Sequence, residues 1–422
     1  MVGWMGVDVG TSSTKAVVFT SEGRPVGQGR ATTPWRTGHA GVDVDPTALL
    51  DSALTAISEA VQQAPPDLAV GGVGVTSMGE TGILVDGKGV PVAPAIAWHD
   101  TRDGAEAEQL AEDVDASSFR RRTGKPLSGQ YALTKHRWLT AHVASSRAAV
   151  RRFNVAEWVA RGLGADEVCE RTLACRTGWL DLARESWDDE LLAWSGTTAS
   201  LMPPLVKAGR AIGTVDNGVA HPRLAGAVVT IAGHDHQAAA VGVGANAAGD
   251  LLDSSGTSEA LLRTVAAGLS PEQVDELAAA GITTDLSVRA GCWSLLGSTE
   301  GGLRMRRVLD ILGVAWADLP TLDEAALAVP PAVEGPGHVW RTAVDAATRE
   351  AVARYTAMEK IAGPHDRLIA AGGWCASAMV LDAKRRLLGP LTVSTVVEAG
   401  ACGAATMAAR AAGHLGPDDT LG

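Results

Sequence analysis

Asp8-Val9-Gly10-Thr11-Ser12-Ser13-Thr14-Lys15 is the stretch that decides how the rest of this chain is read. It follows the apolar run Met5–Val9 and precedes Ala16–Phe19, a second run rich in β-branched residues. Strand, polar turn and strand imply a hairpin. Gly10 opens backbone geometry closed to other residues, and Thr11, Ser12 and Ser13 set hydroxyls beside successive amides. That composition suits an anionic phosphate, with Lys15 adding charge and Asp8 able to hold a divalent ion or its water. The spacing GxxxxGK[ST] is absent and a strand follows rather than a helix, so this is not a P-loop. An ordinary hairpin with a polar turn remains the alternative on this motif alone.

Outward from that turn, apolar β-branched runs alternate with alanine-rich segments of helical period, an α/β pattern. Strands are expected at Val70–Thr76, Ile83–Val85, Val228–Ala232 and Leu368–Ala371, and helices at Pro46–Gln63, Asp103–Asp113, Gly302–Leu312 and Ala399–Ala412. At 422 residues the chain exceeds what one core usually fills, so two domains are expected. The best boundary is where Pro222 precedes a fresh strand, giving domains 1–224 and 225–422. The two halves echo each other: each has a strand, an aspartate near its end (Asp8, Asp235) and a Gly-Thr-Ser turn, the second being Ser255-Gly256-Thr257-Ser258. A duplicated unit facing a shared cleft is the implied arrangement.

Two further segments carry chemistry. Gly233-His234-Asp235-His236-Gln237 follows the Val228 strand. Asp235 there can take a proton from a hydroxyl nucleophile, or cap the next helix, or stand between two histidines that ligate a metal. Ala370-Ala371-Gly372-Gly373-Trp374-Cys375-Ala376-Ser377 ends a strand on two glycines before a helix. It suits a flat heterocycle with a phosphate at the helix N-terminus, or simply a tight turn.

Bulk properties exclude several classes. The formal charge of −12, with dispersed Lys and Arg, argues against nucleic-acid binding. No apolar stretch is long enough for a membrane span. The beginning of the chain lacks a basic n-region, so no secretory signal is expected. Five scattered cysteines without a CxxC pair favour a reducing cytoplasm.

A strand–phosphate turn–strand hairpin belongs to the actin, Hsp70 and sugar-kinase type of nucleotide site, and the ordered motifs together resemble the FGGY carbohydrate kinases. Asp8-x-Gly10-Thr11-x-x-x-Lys15 is similar to that family's first phosphate motif, Ser255–Ser258 to its second, and Gly372-Gly373-x-x-x-Ser377 to its adenosine motif. Glu300-Gly301-Gly302 resembles a glycine loop near the nucleotide, and Glu398–Ala405 the C-terminal small-residue helix. The resemblance implies two ribonuclease-H-like α/β domains flanking an active-site cleft, with the sugar held mainly by the first and ATP mainly by the second. It makes Asp235 the catalytic base. Asp8, Gly10, Thr11, Ser12, Ser13, Lys15, Gly256, Thr257, Ser258, Gly301, Gly302, Gly372, Gly373 and Ser377 become nucleotide contacts, and Asp8 with Asp235 the carboxylates for Mg²⁺.

The implied sugar contacts are Met78, Gly79, Glu80, Trp98, Asp100, Arg102, Gln130 and Asp235. Glu80 stands where glycerol kinases have glutamate and xylulokinases usually histidine, whereas Gln130 falls where glycerol kinases carry tyrosine. The pocket follows neither branch. The expectation is an ATP-dependent kinase of a small ketose or polyol, using Mg²⁺, with a homodimer left open. The rivals are an Hsp70- or actin-like ATPase switch and a sugar-binding regulator without turnover.

Overall fold

The computed structural model describes residues 2–38, 41–328 and 334–421. The chain forms two compact units. One takes the chain as far as Gly244, with Asp285–Ala290 and the segment from Val397 onward; the other holds Ala245–Thr284 and Gly291–Val396.

In the first unit, five of the six sheet strands lie in the order Pro25–Thr32, Ser13–Thr20, Val2–Val9, Ala69–Ser77, Val228–His234. The first three pair antiparallel as successive hairpins; the last two run parallel to Val2–Val9. Helix Pro46–Gln63 covers one face, as its periodicity predicts. Asp45 caps it through Thr47 N at 2.8 Å and Ala48 N at 3.1 Å, Pro46 opens it, and Leu49, Ala53, Ile57 and Val61 point into the core. On the other face helix Ala399–Ala411 lies so close that small residues are obligatory. A Cβ on Gly6 would stand 1.7 Å from Ala401 O, and one on Gly403 1.7 Å from Ala238 O. The alanine and glycine content of that helix is thus a packing requirement.

The second unit repeats the plan. Five of the six strands of its sheet lie in the order Cys292–Thr299, Glu259–Ala266, Asp250–Ser255, Arg367–Ala371, Thr392–Val393, again three antiparallel followed by two parallel to the third. The duplication expected from the Gly-Thr-Ser echo is present, but in a different alignment. The counterpart of the Val2–Val9/Ser13–Thr20 hairpin is Asp250–Ser255/Glu259–Ala266. Ser254, not Asp235, therefore stands where Asp8 stands, two residues before the turn glycine.

The boundary at 224/225 shifts for the same reason. Strand Val228–His234 is the fifth strand of the first sheet, with Val229 opposite Val73, and the first unit continues to Gly244. Pro222 marks the start of a strand but carries no information on which sheet receives it. No described helix is long and apolar enough to cross a membrane, and none of the five cysteines is in a disulfide.

Candidate active site

The first turn is braced from several sides of its own unit. Gly10 N donates to Ser13 O at 3.2 Å, and Thr33 Oγ1 to Gly10 O at 2.8 Å. The indole of Trp35 donates to Thr11 O at 2.6 Å and that of Trp98 to Thr11 Oγ1 at 2.9 Å; Met78 Sδ lies 3.8 Å from the same hydroxyl. The structure therefore joins Thr11 of the expected phosphate turn to Met78 and Trp98 of the expected sugar pocket. Ser12 is exposed, while Ser13 is buried and accepts from Arg30 Nε at 3.1 Å.

Asp8 ends its strand with Oδ1 buried and without a hydrogen-bond partner. Burial, then the nearby Asp235 and Glu398 carboxylates, push its pKa up to about 7 against the pull of Lys15. Lys15 is committed elsewhere: its Nζ lies 2.6 Å from Glu398, a residue held at φ 53° immediately before helix Ala399–Ala411. An orphaned carboxylate oxygen beside further acidic groups suits a cation. No group of three His, Cys, Asp or Glu able to hold a metal exists among the described residues. That donor set fits Mg²⁺, which is typically held by one or two carboxylates while keeping water and substrate phosphate as its other ligands.

Asp235 is the first residue of helix Asp235–Gly242, and His234 occupies the cap position without a side-chain capping bond. The helix-cap reading is thereby answered: the carboxylate lies inside the first turn, where the helix dipole favours an anion. Its Oδ1 accepts from His236 N at 2.7 Å and lies 3.3 Å from His234 Nε2. The side chain keeps 27 % of its surface exposed. Burial works to raise its pKa, but His236, His234 and Arg176 more than offset this and hold it below the usual carboxylate value. Burial drives His234 down to about 3, so that ring is neutral. Behind the carboxylate, Gly233 is fixed through Thr76 Oγ1 to its carbonyl at 2.6 Å, and Thr172 Oγ1 accepts from His234 N at 2.9 Å.

Glu80 sits in a left-handed backbone conformation, φ 62°, and is buried. Its Oε1 accepts from Arg176 Nε at 2.8 Å and from Gln130 Nε2 at 3.4 Å. Arg176 Nη1 reaches Asp285 at 3.3 Å, and Asp285 accepts from Lys125 Nζ at 2.7 Å. Gly79 leaves room for this: a Cβ there would come 2.9 Å from Arg176 Cβ and Cγ. Burial raises the Glu80 carboxyl, with Arg176 opposing. Arg176, Asp285 and Lys125 were missed by sequence reasoning. Their signal is a charged residue isolated in an otherwise buried stretch, as in Thr172–Cys175 before Arg176.

Asp100 and Arg102, expected to orient substrate, are turned toward each other. Asp100 Oδ1 accepts from Arg102 N at 2.9 Å and Nε at 2.8 Å, and Oδ2 from Val42 N. Arg102 also pairs with Asp43 at 3.1 Å and lies over the Trp138 ring at 5.2 Å. Burial alone would raise Asp100; these bonds from Arg102 and Val42 instead hold it low. The pair braces strand Gly41–Val44.

In the second unit the Gly256–Ser258 turn closes through Gly256 N to Ser258 O at 3.0 Å. Helix Gly301–Leu312 begins against it: a Cβ on Gly302 would stand 2.0 Å from Gly256 O. Gly372, at φ 99°, would place a Cβ 2.4 Å from Ser255 O, whereas a Cβ on Gly373 would meet nothing within 4 Å. Ser377, expected as a nucleotide contact, is the N-cap of helix Ala378–Leu388. Its buried hydroxyl accepts from Val380 N at 3.2 Å and donates to Asp323 at 2.9 Å. Asp323, also missed, further holds Trp340 Nε1 and Ala378 N, both at 2.7 Å. Beside it lies a cavity of about 510 Å³ lined by Pro320, Leu327, Ala376 and Ala378 with the carboxylates of Asp323 and Glu324, a mainly apolar surface that suits a heterocycle.

A duplicated α/β plan, a glycine-hydroxyl turn in each copy and a carboxylate at a helix start are the features that the two units carry. Residues 3–242 match the FGGY family of carbohydrate kinases, N-terminal domain, and the chain belongs to that family, whose members are ATP-dependent phosphotransferases acting on alcohol groups. Among its relatives, a xylulose kinase of Streptomyces coelicolor is 32% identical over 57% of this chain and 50% of its own length. A glycerol kinase of Janthinobacterium sp. is 27% identical over 96% of this chain and 89% of its own length. The solved xylulose kinase from Rhodospirillum rubrum superposes with a TM-score of 0.88 at 24% identity, covering 99% of this chain and 92% of that one. The fold is thus the two-domain sugar-kinase fold.

Proposed function

We propose that this chain transfers the terminal phosphoryl group of ATP to a hydroxyl of a small ketose or polyol, with Asp235 as general base. The observation that carries the reading is the state of that carboxylate: partly exposed, at a helix start and held below its usual pKa, hence ionised at neutral pH. An ionised carboxylate can accept the hydroxyl proton as the oxygen attacks phosphorus. Glu80, with Gln130 beside it, is the group that accepts hydroxyl hydrogen bonds from substrate, and Trp98 forms an apolar wall anchored on Thr11. The Thr11–Ser13 and Gly256–Ser258 turns serve as phosphate cradles, and the cavity at Ala376 and Ala378 takes the base. Asp8, whose Oδ1 has no partner, would hold Mg²⁺, which supplies charge neutralisation for the phosphates, and Asp235 is kept for the base alone.

The relatives named xylulose kinase and glycerol kinase support a polyhydroxylated acceptor of this size. The test is ADP formation against a panel of ketoses and polyols. Turnover with at least one, saturating in both substrates, is expected. ATP hydrolysis unaffected by every sugar would point to the ATPase switch, and none at all to a binding protein.

A further inference from the structure

Lys384 is among the largest fully buried side chains of the protein, and it lies outside every motif considered so far. It projects from helix Ala378–Leu388, the helix that Ser377 caps. An ammonium group has three donors. Here they reach three acceptors: Asp253 Oδ2, Ser255 Oγ at 2.5 Å and Glu259 Oε1 at 2.6 Å. All three acceptors flank one turn, Gly256-Thr257-Ser258, from both strands of its hairpin. Ser255 in turn donates to Asp253 Oδ1 at 3.0 Å, and Thr299 Oγ1 to Glu259 Oε2 at 3.0 Å. Gly301 N, at the start of the next helix, donates to Thr299 Oγ1 at 3.2 Å.

We infer that Lys384 is the positioning residue of the nucleotide site: one buried cation that locks the Gly256–Ser258 turn and ties it to the helix following Gly372–Ser377. The inference rests on the proposed role of that turn in holding ATP phosphates. Three features support it. Both carboxylates are buried, Asp253 fully, so without Lys384 two like charges would face each other out of water. Burial would lower the Lys384 pKa, but Asp253 and Glu259 raise it to about 12, so the cation is permanent at any physiological pH. And Ser255 has its hydroxyl used on both sides while Gly372 packs on its backbone, so the residue entering the turn has no freedom left. A turn that must present amides to a phosphate gains affinity when its geometry is fixed beforehand.

The test uses the full chain and four variants, reading thermal stability and the separate KM values for ATP and for the best sugar. Lys384→Met is expected to raise the ATP KM by about tenfold or more while the sugar KM stays within about twofold. Because stranded carboxylates also cost stability, Lys384→Met/Asp253→Asn/Glu259→Gln is made alongside it. That triple variant should regain stability without regaining ATP affinity. Ser255→Ala, which keeps both ion pairs, should raise the ATP KM by a few fold and carries the test if the other two do not fold. Recovery of ATP affinity in the triple variant, or an unchanged ATP KM in Lys384→Met or Ser255→Ala, would overturn the inference and leave Lys384 a structural counter-ion. Gly256→Ala separates this from failure of the underlying reading. Its Cβ would make only an ordinary 3.6 Å contact with Ser258 O, so lost ATP affinity there reports on the ligand. If Gly256→Ala binds ATP normally, the phosphate role of the turn is itself refuted.

Discussion

Replacing Glu170 by glutamine should change how stability depends on pH, by an amount the structure sets. Glu170 is fully buried and caps helix Arg171–Cys175: Oε2 accepts from Thr172 N at 2.9 Å, Thr172 Oγ1 at 2.6 Å and Leu173 N at 3.1 Å. Oε1 is buried with no partner. Burial pushes the carboxyl from the ordinary 4.5 to about 7, against the hydrogen bonds from Thr172 and Leu173. The folded protein therefore holds a proton that the unfolded chain releases above pH 4.5. Between pH 4.5 and 7 the native state binds more protons, so this group's contribution to stability falls as pH rises, and levels off above 7. A shift of about 2.5 units corresponds to about 3 kcal/mol. Glu170→Gln keeps a capping acceptor but cannot ionise. Its cost from the amide placed at the orphaned position is the same at every pH. The stability difference, variant minus wild type, should thus grow by about 3 kcal/mol from pH 4.5 to 7.5. Denaturant unfolding of both proteins at pH steps, without ligands, measures it. Parallel curves would refute the reasoning, because they would mean the native carboxyl ionises as freely as the unfolded one.

Asp235→Asn should lower kcat about 10²–10⁴-fold with Mg·ATP affinity nearly intact, and near-normal turnover would remove the base assignment. Asp8→Asn should weaken Mg·ATP binding in titrations, with a defect that depends on Mg²⁺ concentration; a magnesium-independent defect would break the metal assignment. Glu80→Ala should raise the sugar KM far more than the ATP KM, since a carboxylate matched to hydroxyls is lost; an unchanged sugar KM would take Glu80 out of the pocket. Gly403→Ala should cost about 1–3 kcal/mol or more in denaturant unfolding, because its Cβ meets backbone at 1.7 Å and cannot be accommodated by a side-chain rotation.

The fold was legible because its signals are local. Helix Pro46–Gln63 has the predicted bounds, and Gly-Thr-Ser between two apolar runs marked the first hairpin. What was not legible depends on which strand pairs with which. Nothing around Pro222 says that Val228–His234 completes the sheet begun at residue 2, so boundary and echo were both misaligned. The charged site residues show the same division. Asp8 and Asp235 stand next to strand ends and are visible as such. Arg176, Asp285, Lys125 and Lys384 act through partners 96 to 160 positions away in the chain, and only the fold brings them there. Asp100 and Arg102 show a further side of the same division: two residues apart, they bond to each other, a pairing that a reading of residue types as ligands does not supply.

The two hairpins share a plan yet differ in electrostatics, and the difference bears on what each copy can do. In the first, the residue two places before the turn glycine is Asp8, with an orphaned oxygen and a raised pKa, while the neighbouring cation Lys15 is spent on Glu398. Burial and the neighbouring carboxylates make ionising Asp8 costly, a setting in which a nearby cation would favour the charged form. In the second, that place is the neutral Ser254, and the flanking carboxylates Asp253 and Glu259 are both closed by Lys384. Those two carboxylates and the Ser255 hydroxyl are paired before any ligand binds, which rigidifies the turn and leaves neither flanking carboxylate bare. Duplication supplied two equivalent backbones. Substitution at the residue two before the glycine, and the choice of where a lysine stands, left one copy with a buried carboxylate oxygen that has no partner and the other with both flanking carboxylates closed by a cation.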